Sequence, residues 1–122
     1  MASSYDDLRA WKQAMDLALA IYRNTRGFPK EELYGLTAQL RRAAVSVPSN
    51  IAEGKGRSSD KDFVLFLHHA RGSLLELQTQ LAIPTDLHYL TMPQAAQLLE
   101  QAEILAKTLN ALINALKNPM AA

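Results

Sequence analysis

Cysteine is missing from the 122-residue sequence, which excludes both a disulfide framework and a thiolate metal site and fits a reducing compartment. No apolar run approaches the roughly 18 residues that a membrane-spanning helix needs. The first residues, Met-Ala-Ser-Ser-Tyr-Asp-Asp, also lack the basic and then apolar pattern of a signal peptide. We therefore expect a soluble cytoplasmic protein that does not associate with membranes.

Glycine and proline are scarce, with five residues of each, and 48% of the residues are hydrophobic. This composition predicts one domain over residues 1–122, with a core from about residue 5 to about residue 117. The formal net charge is only +1, but its distribution is uneven. Residues 40–71 carry six basic and three acidic side chains, whereas residues 72–122 carry two basic and four acidic ones. The middle of the chain is therefore basic and the last third acidic.

Apolar residues recur three and four positions apart in four segments, which is the spacing of one helix face. The first predicted helix is capped by Ser4 and ends near Thr25. Its predicted core seam is Leu8, Trp11, Met15, Ala18 and Tyr22. The second predicted helix begins near Lys30 and is ended by Gly54 and Gly56. Its predicted seam is Leu33, Leu36, Leu40, Ala44, Val47 and Ile51.

The third predicted helix opens with a capping box at Ser59 and is broken or ended by Pro84. Its seam is Phe63, Leu67, Ala70, Leu74, Leu77 and Leu81. The last predicted helix runs from a second capping box, Thr91 with Gln94, to a stop at Pro119. Its seam is Leu98, Ala102, Leu105, Leu109, Leu112 and Leu116.

Four helices joined by short connections must run antiparallel to their neighbours. The predicted fold class is therefore all-α, an antiparallel up-down-up-down four-helix bundle. Pro48 lies inside the second helix, where it removes one backbone hydrogen bond and predicts a kink that costs roughly 3 kcal/mol locally. The side chains of Ser46, Ser49 and Asn50 are expected to satisfy the freed carbonyl groups.

Three of the helices carry more apolar residues than one seam requires. The additional residues are Ala10, Ala14, Leu17 and Ile21 in the first helix, Val64, Leu65 and Leu75 with the small Gly72 in the third, and Leu99, Ala106 and Ile113 in the last. A bundle helix needs an apolar arc only about 100° wide, so this surplus favours contact with another subunit. The alternative is a generous core with some apolar residues left exposed.

Two segments carry a distinctive pattern: Gln39–Gly54, which reads QLRRAAVSVPSNIAEG, and Ala70–Glu76, which reads ARGSLLE. Both closely resemble the bacterial four-helix bundle family that was first noticed as open reading frames in intervening sequences of 23S ribosomal RNA genes. That family is sometimes labelled S23 ribosomal protein. The resemblance covers the chain from about Tyr5 to Leu116. The sequence also looks similar to the accessory protein of diversity-generating retroelements.

The resemblance implies a kinked four-helix bundle that assembles as a homopentameric barrel. The retroelement relative is implied to bind nucleic acid and a reverse transcriptase through a basic surface, whereas most of the family has no established biochemical function. This chain departs from the retroelement proteins in its near-zero net charge. It also carries Pro84 where the third helix usually continues, so the connection after Leu81 is expected to differ.

The candidate nucleic-acid contacts are basic residues of the middle segment: Arg41, Arg42, Lys55, Arg57, Lys61 and Arg71. Arginine suits bidentate phosphate recognition, and the Lys55-Gly56-Arg57 loop before a helix N-terminus could hold an anion. Structural alternatives stay open. Arg41 or Arg42 could instead pair with Glu53 or Glu76 of a neighbouring helix or subunit, and the loop could be a solvated turn.

The remaining residues of the motif have structural explanations. Pro48 and Asn50 belong to the kink and its repair, and Glu53 can form a salt bridge at the helix end marked by Gly54. Gly72 is predicted to let two helices approach closely.

No pattern indicates catalysis, a cofactor or a metal. His68 and His69 are consecutive and point to different faces, and His88 has no evident partner ligand. No Ser-His-acid arrangement stands out from chance. We therefore predict a protein that is not an enzyme and needs neither a metal nor a cofactor.

Two functions from different classes fit the sequence. The first is an oligomeric module that binds RNA or DNA, with modest basic patches multiplied around a ring. The second is a structural or adaptor protein whose ring presents a surface to a protein partner, with the arginines holding subunits together. The two differ in whether the arginines are exposed on one rim of the assembly or buried between chains.

Overall fold

The computed structural model describes residues 4–118, with side-chain exposure from residue 7 onward. The helices are α1 (Ser4–Thr25), α2 (Leu36–Lys55), α3 (Asp60–Gln80), the short α4 (Ala82–Asp86) and α5 (Met92–Lys117). Helix α1 packs on α2, α2 on α3, α3 on α5 and α5 on α1. This closed order of neighbours, with no strand in the described residues, confirms the predicted four-helix bundle.

The core seams predicted for the third and last helices are confirmed. Every predicted seam residue of α3 and α5 is buried, as is Leu81 directly after α3. Most of these seam residues are leucines. The leucine side chain is not branched at Cβ, so it has a high helix propensity, and it packs densely in a core. The 3.6-residue period therefore predicted the buried faces of two of the four long helices correctly.

The seam predicted for α1 is wrong. Leu8 and Tyr22 remain 48% and 40% exposed, and Trp11 and Met15 are only half-buried. Helix α1 instead buries the residues that were predicted as its surplus. Of the predicted seam, only Ala18 is buried with them. The buried stripe is Ala10, Ala14, Leu17 and Ile21. Its small alanines let α1 approach the other helices closely, so the larger apolar side chains are left outside.

Helix α2 begins at Leu36 and not near Lys30 as predicted. Lys30–Glu32 forms a single 3₁₀ turn, and Leu33 after it is exposed. The Glu32 carboxylate accepts a hydrogen bond from the Leu36 N–H at 3.2 Å, and the Glu32 carbonyl accepts one from the Gly35 N–H at 3.0 Å. Glu32 thus satisfies donors at the start of α2 that would otherwise lack a partner.

Pro48 lies inside α2, which is one continuous helix in its hydrogen-bonding pattern. The predicted kink itself stays a prediction. The Ser49 and Asn50 side chains each donate to the carbonyl four residues before them, both at 2.8 Å. The carbonyl that the proline leaves without a donor is that of Ala44, so these side chains reinforce the two carbonyls after it. The predicted repair of the freed carbonyl is therefore wrong for Ser49 and Asn50. It is wrong for Ser46 as well, because its hydroxyl shares a hydrogen bond with that of Ser73 on α3.

The predicted caps differ in completeness. At α5, Thr91 accepts from the Gln94 N–H and the Gln94 side chain accepts from the Thr91 N–H, so this capping box is confirmed. At α3, Ser59 accepts from the Asp62 N–H at 3.1 Å, and the reciprocal bond is not present among the described residues. Ser4 is the first residue of α1, and the cap predicted for its side chain lies outside the described side chains. The helix stop predicted at Pro119 lies outside the described residues.

Pro84 follows the end of α3 as predicted, but the short helix α4 that contains it was not expected. After α4 the chain turns at His88, which has φ of 63°. The ring of Tyr89 then lies 5.5 Å from that of Phe28, and its O–H donates to the Glu32 carboxylate at 3.3 Å. These contacts join the turn after α1 to the connection before α5 at one end of the bundle.

Candidate functional site

The six predicted nucleic-acid contacts do not form one patch. Arg41 and Arg42 lie in the first half of α2, whereas Lys55 ends that helix, so about 20 Å separates the two groups along the helix axis. Lys61 lies in the first turn of α3, and Arg71 lies in the middle of that helix. Their surroundings therefore have to be considered one residue at a time.

Arg41 holds α2 against the end of α1. Its Nε donates to the Thr25 hydroxyl at 2.9 Å, and its guanidinium lies 4.6 Å from the centre of the Tyr22 ring. An Nη2 contact to the Tyr22 carbonyl, at 3.5 Å, places a cation near the negative end of the α1 dipole. The alternative that Arg41 pairs with Glu53 or Glu76 is wrong within the chain.

Lys55 and Asp7 form an ion pair between the end of α2 and the start of α1. The Lys55 Nζ lies 2.6 Å from Asp7 Oδ2, and only 7% of the Asp7 side chain is exposed. The ammonium is also 6.0 Å from the centre of the Phe63 ring. The other carboxylate oxygen, Oδ1, is buried and has no hydrogen-bond partner among the described residues. Lys55 thus compensates a buried charge and contributes to the fold.

Arg57 is held at the turn between α2 and α3. It pairs with Glu53 one helical turn earlier at 2.8 Å, and its guanidinium lies 4.6 Å from the centre of the Phe66 ring. The salt bridge predicted for Glu53 is therefore confirmed, with Arg57 as its partner. Both charged side chains remain about half exposed, so the pair contributes little to stability.

Arg42 and Lys61 are the two predicted contacts that remain available. Both are exposed, and neither takes part in an ion pair within the described part of the chain. Arg42 donates to the Gln39 side chain at 2.7 Å, an exposed bond within α2 that competes with water.

Arg71 belongs to a cluster that links α3 to α5. Its Nη1 donates to Asn110 Oδ1 at 2.9 Å, and its Nη2 donates to His68 Nδ1 at the same distance. Burial lowers the pKa of His68, and the nearby positive charges of Arg71, Lys117 and His69 lower it further, in that order. No sequence pattern predicts this cluster, because Asn110 and Lys117 come from a helix distant in the chain.

The two motif glycines have opposite surroundings. A Cβ on Gly54 would lie 2.6 Å from Phe66 Cβ and 3.0 Å from Phe63 Cδ1, so α2 and α3 can meet here only because Gly54 has no side chain. A Cβ on Gly72 would meet nothing within 4 Å. The predicted close approach of helices at Gly72 is therefore wrong within the chain.

Ser46 and Asn50 join α2 to α3 by polar contacts. The Ser46 and Ser73 hydroxyls share a hydrogen bond of 2.8 Å, and the Asn50 Nδ2 donates to Ser46 Oγ at 3.0 Å. These bonds explain Ser46 and Asn50 of the motif as residues that help to pack α2 against α3.

A groove with apolar walls runs along the outside of α1 and α2. Three depressions lie end to end along it. The first and second share Trp11 and Ala52, and the second and third share Tyr22 and Val45, so they form one continuous groove. We call it the α1–α2 groove, and its principal walls are Leu8, Trp11, Met15, Leu19 and Tyr22 of α1 and Arg41, Val45, Pro48, Ala52 and Lys55 of α2. From Leu8 to Tyr22 it is about 21 Å long. The stripe predicted as the α1 core seam is thus one wall of an open groove.

Other kinds of site are not found in the residues that the structure describes. No group of three or more His, Asp or Glu side chains is placed to hold a metal ion in residues 4–118. Within the same range, no helix is both long and apolar enough to cross a bilayer.

Comparisons with known proteins support the fold. A family model described as "23S rRNA-intervening sequence protein" matches residues 6–111. A solved structure from Bacteroides thetaiotaomicron, described as a protein with unknown function from the S23 ribosomal protein family, is similar with a TM-score of 0.82 and 21% identity. The match covers 89% of this chain and 98% of that one. No curated protein matches the sequence. The similarity to the retroelement accessory protein stays a prediction.

Proposed function

The chain belongs to the 23S rRNA-intervening sequence protein family, and on that basis we propose that it is a non-enzymatic binding module that assembles with copies of itself and binds nucleic acid. The α1–α2 groove is the observation that carries this proposal. A cytoplasmic location and a ring of five subunits, as the family resemblance implies, are parts of the same proposal.

Self-association is supported by the amount of apolar surface that the folded chain leaves outside. Along the groove, Leu8, Leu19, Tyr22 and Val45 are each at least 40% exposed, although they recur at helical spacing. Single exposed apolar residues are ordinary, but a contiguous apolar groove of this length marks an interaction surface. A second copy of the chain covers it in the proposed assembly.

Nucleic-acid binding is supported by the cations that the fold leaves available. Arg42 and Lys61 are exposed and lack an acidic partner among the described residues, with Arg42 at one end of the α1–α2 groove, and Arg57 is about half exposed in its pair. Two or three such residues bind phosphate weakly in one chain. In an assembly, each copy contributes the same set, so that weak contacts act together.

An adaptor without nucleic-acid binding is the second candidate, and a specific observation favours it. Arg41 and Lys55 have partners that explain them structurally: a hydroxyl with an aromatic ring for Arg41, and a buried carboxylate for Lys55. In that case the groove, or the surface of the assembly, takes a protein partner.

The assembly is tested with Leu19→Glu, which places a charge in the groove, and Ile104→Glu as the matched control. Leu19 and Ile104 are 46% and 48% exposed, and Ile104 does not line the groove. Light scattering is expected to show oligomers for the natural chain and for Ile104→Glu, and smaller species for Leu19→Glu with unchanged helix content. A monomeric natural chain at all concentrations tested would contradict self-association.

Nucleic-acid binding is tested by fluorescence anisotropy with RNA and DNA over a range of salt. The Arg42→Ala/Lys61→Ala variant is compared with Lys12→Ala/Lys30→Ala, which removes the same charge from exposed positions elsewhere. We expect binding that weakens steeply with salt and falls more in the first variant than in the control. Absence of binding at low salt for an intact assembly would favour the adaptor.

A further inference from the structure

The outer surface formed by α3 and α5 lies opposite the α1–α2 groove. The four long helices contact one another in the cyclic order α1, α2, α3, α5, so the pair α3 and α5 occupies the far side of the bundle. An assembly that covers the α1–α2 groove therefore leaves this second surface accessible to another ligand.

Positive groups converge on this surface. Arg71 is held in place by Asn110 and His68, both at 2.9 Å, and a guanidinium carries more N–H donors than these two bonds use. The charged groups that act on His68 are Arg71 and His69 from α3 and Lys117 from α5, and all of them are positive. No charge of α2, which packs on the other side of α3, is among them.

The chemistry of His68 adds a directed donor. Arginine only donates hydrogen bonds, so His68 Nδ1 must accept the bond from Arg71 and the imidazole is neutral with its proton on Nε2. Among the described residues, that N–H and the unused guanidinium N–H groups have no acidic partner. Lys61 lies two turns before His68 on the same side of α3, between Asp60 and Asp62 in the first turn of the helix.

We propose that the α3–α5 surface around Arg71, His68 and Lys117 binds phosphate groups of the nucleic-acid backbone. The proposal rests on the proposed nucleic-acid function and assigns its principal contact to this surface, away from the turn between α2 and α3. Arg71 supplies a fixed fork of donors, His68 donates from Nε2, and Lys117 and Lys61 add flexible positive charges.

Phosphate binding on this surface is linked to protonation of His68. Both nitrogens of the protonated imidazole donate, so protonation ends the bond from Arg71 and leaves the phosphate to accept from both side chains. The lowered pKa of His68 comes first from burial and then from the positive groups around it, and a bound phosphate offsets that repulsion. Binding is therefore expected to raise this pKa and to strengthen as pH falls from 8 towards about 6. Each unit of increase in the pKa corresponds to as much as about tenfold in affinity.

The test has two parts and uses the full chain. The first follows the imidazole NMR signals of the three histidines, His68, His69 and His88, during a pH titration with and without inorganic phosphate. The second measures binding of a single-stranded RNA by anisotropy at pH 8 and at about pH 6 for Arg71→Gln, Lys117→Gln and His68→Asn. Lys12→Gln on α1 is the control of equal charge change.

We expect phosphate to raise the His68 pKa and to leave that of His88 unchanged. Arg71→Gln and Lys117→Gln should each weaken RNA binding several-fold more than Lys12→Gln. His68→Asn keeps an acceptor for Arg71 and should retain binding at pH 8 while losing the strengthening at low pH. If RNA binds but these variants match the control, this inference is overturned and the proposed function stands. If the natural chain binds no RNA or DNA, both are overturned.

Discussion

Gly54 and Gly72 show how one residue type serves different purposes in one motif. Gly54 is buried where α2 meets two phenylalanines of α3, whereas Gly72 faces open space on the outside of α3. The sequence predicted a helix end at Gly54 and a close approach of two helices at Gly72, but Gly54 lies inside α2 and is the one at a close approach. Only the distances to neighbouring atoms separate them.

Replacing each glycine by alanine should change stability in opposite directions. Gly54→Ala forces a Cβ against Phe66 and Phe63, and we expect it to lower the free energy of unfolding by about 1–3 kcal/mol. Gly72→Ala gains helix propensity without a clash and should raise it by about 0.5–1 kcal/mol. Urea denaturation of both variants measures the difference. Equal effects would contradict the assigned packing.

His68 predicts a pH dependence of stability. Its pKa is lowered in the folded chain by burial and then by Arg71, Lys117 and His69, so the unfolded chain binds more protons than the folded one below the ordinary pKa of 6.5. Stability is therefore complete above that pH and is lost as pH falls from 6.5 towards the lowered value. Thermal unfolding across this range should show a falling Tm, and His68→Asn should show a smaller fall. An unchanged slope in the variant would contradict this assignment.

At the scale of elements, helix ends were predicted well where a side chain caps the helix. They were predicted poorly where the conformation of the preceding turn sets the first helical residue. Thr91 and Gln94 form the expected reciprocal box at α5. The start of α2 is set by a 3₁₀ turn and by the Glu32 carboxylate, which sequence spacing placed inside a helix. A capping box can be recognised from a short sequence motif. Whether a segment forms a 3₁₀ turn or the first turn of an α-helix depends on how that segment packs.

The capping box gives a prediction for α5. Thr91→Ala removes the acceptor of the Gln94 N–H and should cost about 1 kcal/mol in the free energy of unfolding. Ser59→Ala at α3 should cost less, because only one of the two reciprocal bonds is present there among the described residues. Denaturant titration of the two variants side by side provides the measurement. A larger loss for Ser59→Ala would show that the reciprocal bond contributes nothing.

At the scale of the whole molecule, the bundle has two unlike outer surfaces. The α1–α2 groove is apolar, whereas the α3–α5 surface carries Arg71 and Lys117 near His68, and the cyclic order of the helices places the two on opposite sides. In the proposed assembly, one chain contacts a second copy on one side and an anionic ligand on the other. This arrangement makes self-association and ligand binding separable by mutation.

The single tryptophan, Trp11, reports on the proposed assembly because it lines the groove and is half-buried in one chain. Its fluorescence should shift to shorter wavelength as oligomers form and return to longer wavelength on dilution. Leu19→Glu should keep the long-wavelength emission at every concentration. Emission that stays constant while light scattering shows assembly would place the subunit contact on another surface.

The sequence by itself determined the number of long helices, their antiparallel order and the buried faces of α3 and α5, because one dominant leucine stripe per helix leaves a single way to form a core. For α1 it contained two stripes, and the tertiary structure decided between them. Packing favoured Ala10 and Ala14, whose small side chains allow close contact, and left Leu8 and Trp11 for the groove. The partners of Arg41, Lys55 and Arg71 were likewise decided by tertiary structure. Thr25, Asp7 and Asn110, which these three side chains contact, lie on other helices, and periodicity along one helix carries no information about the register between two.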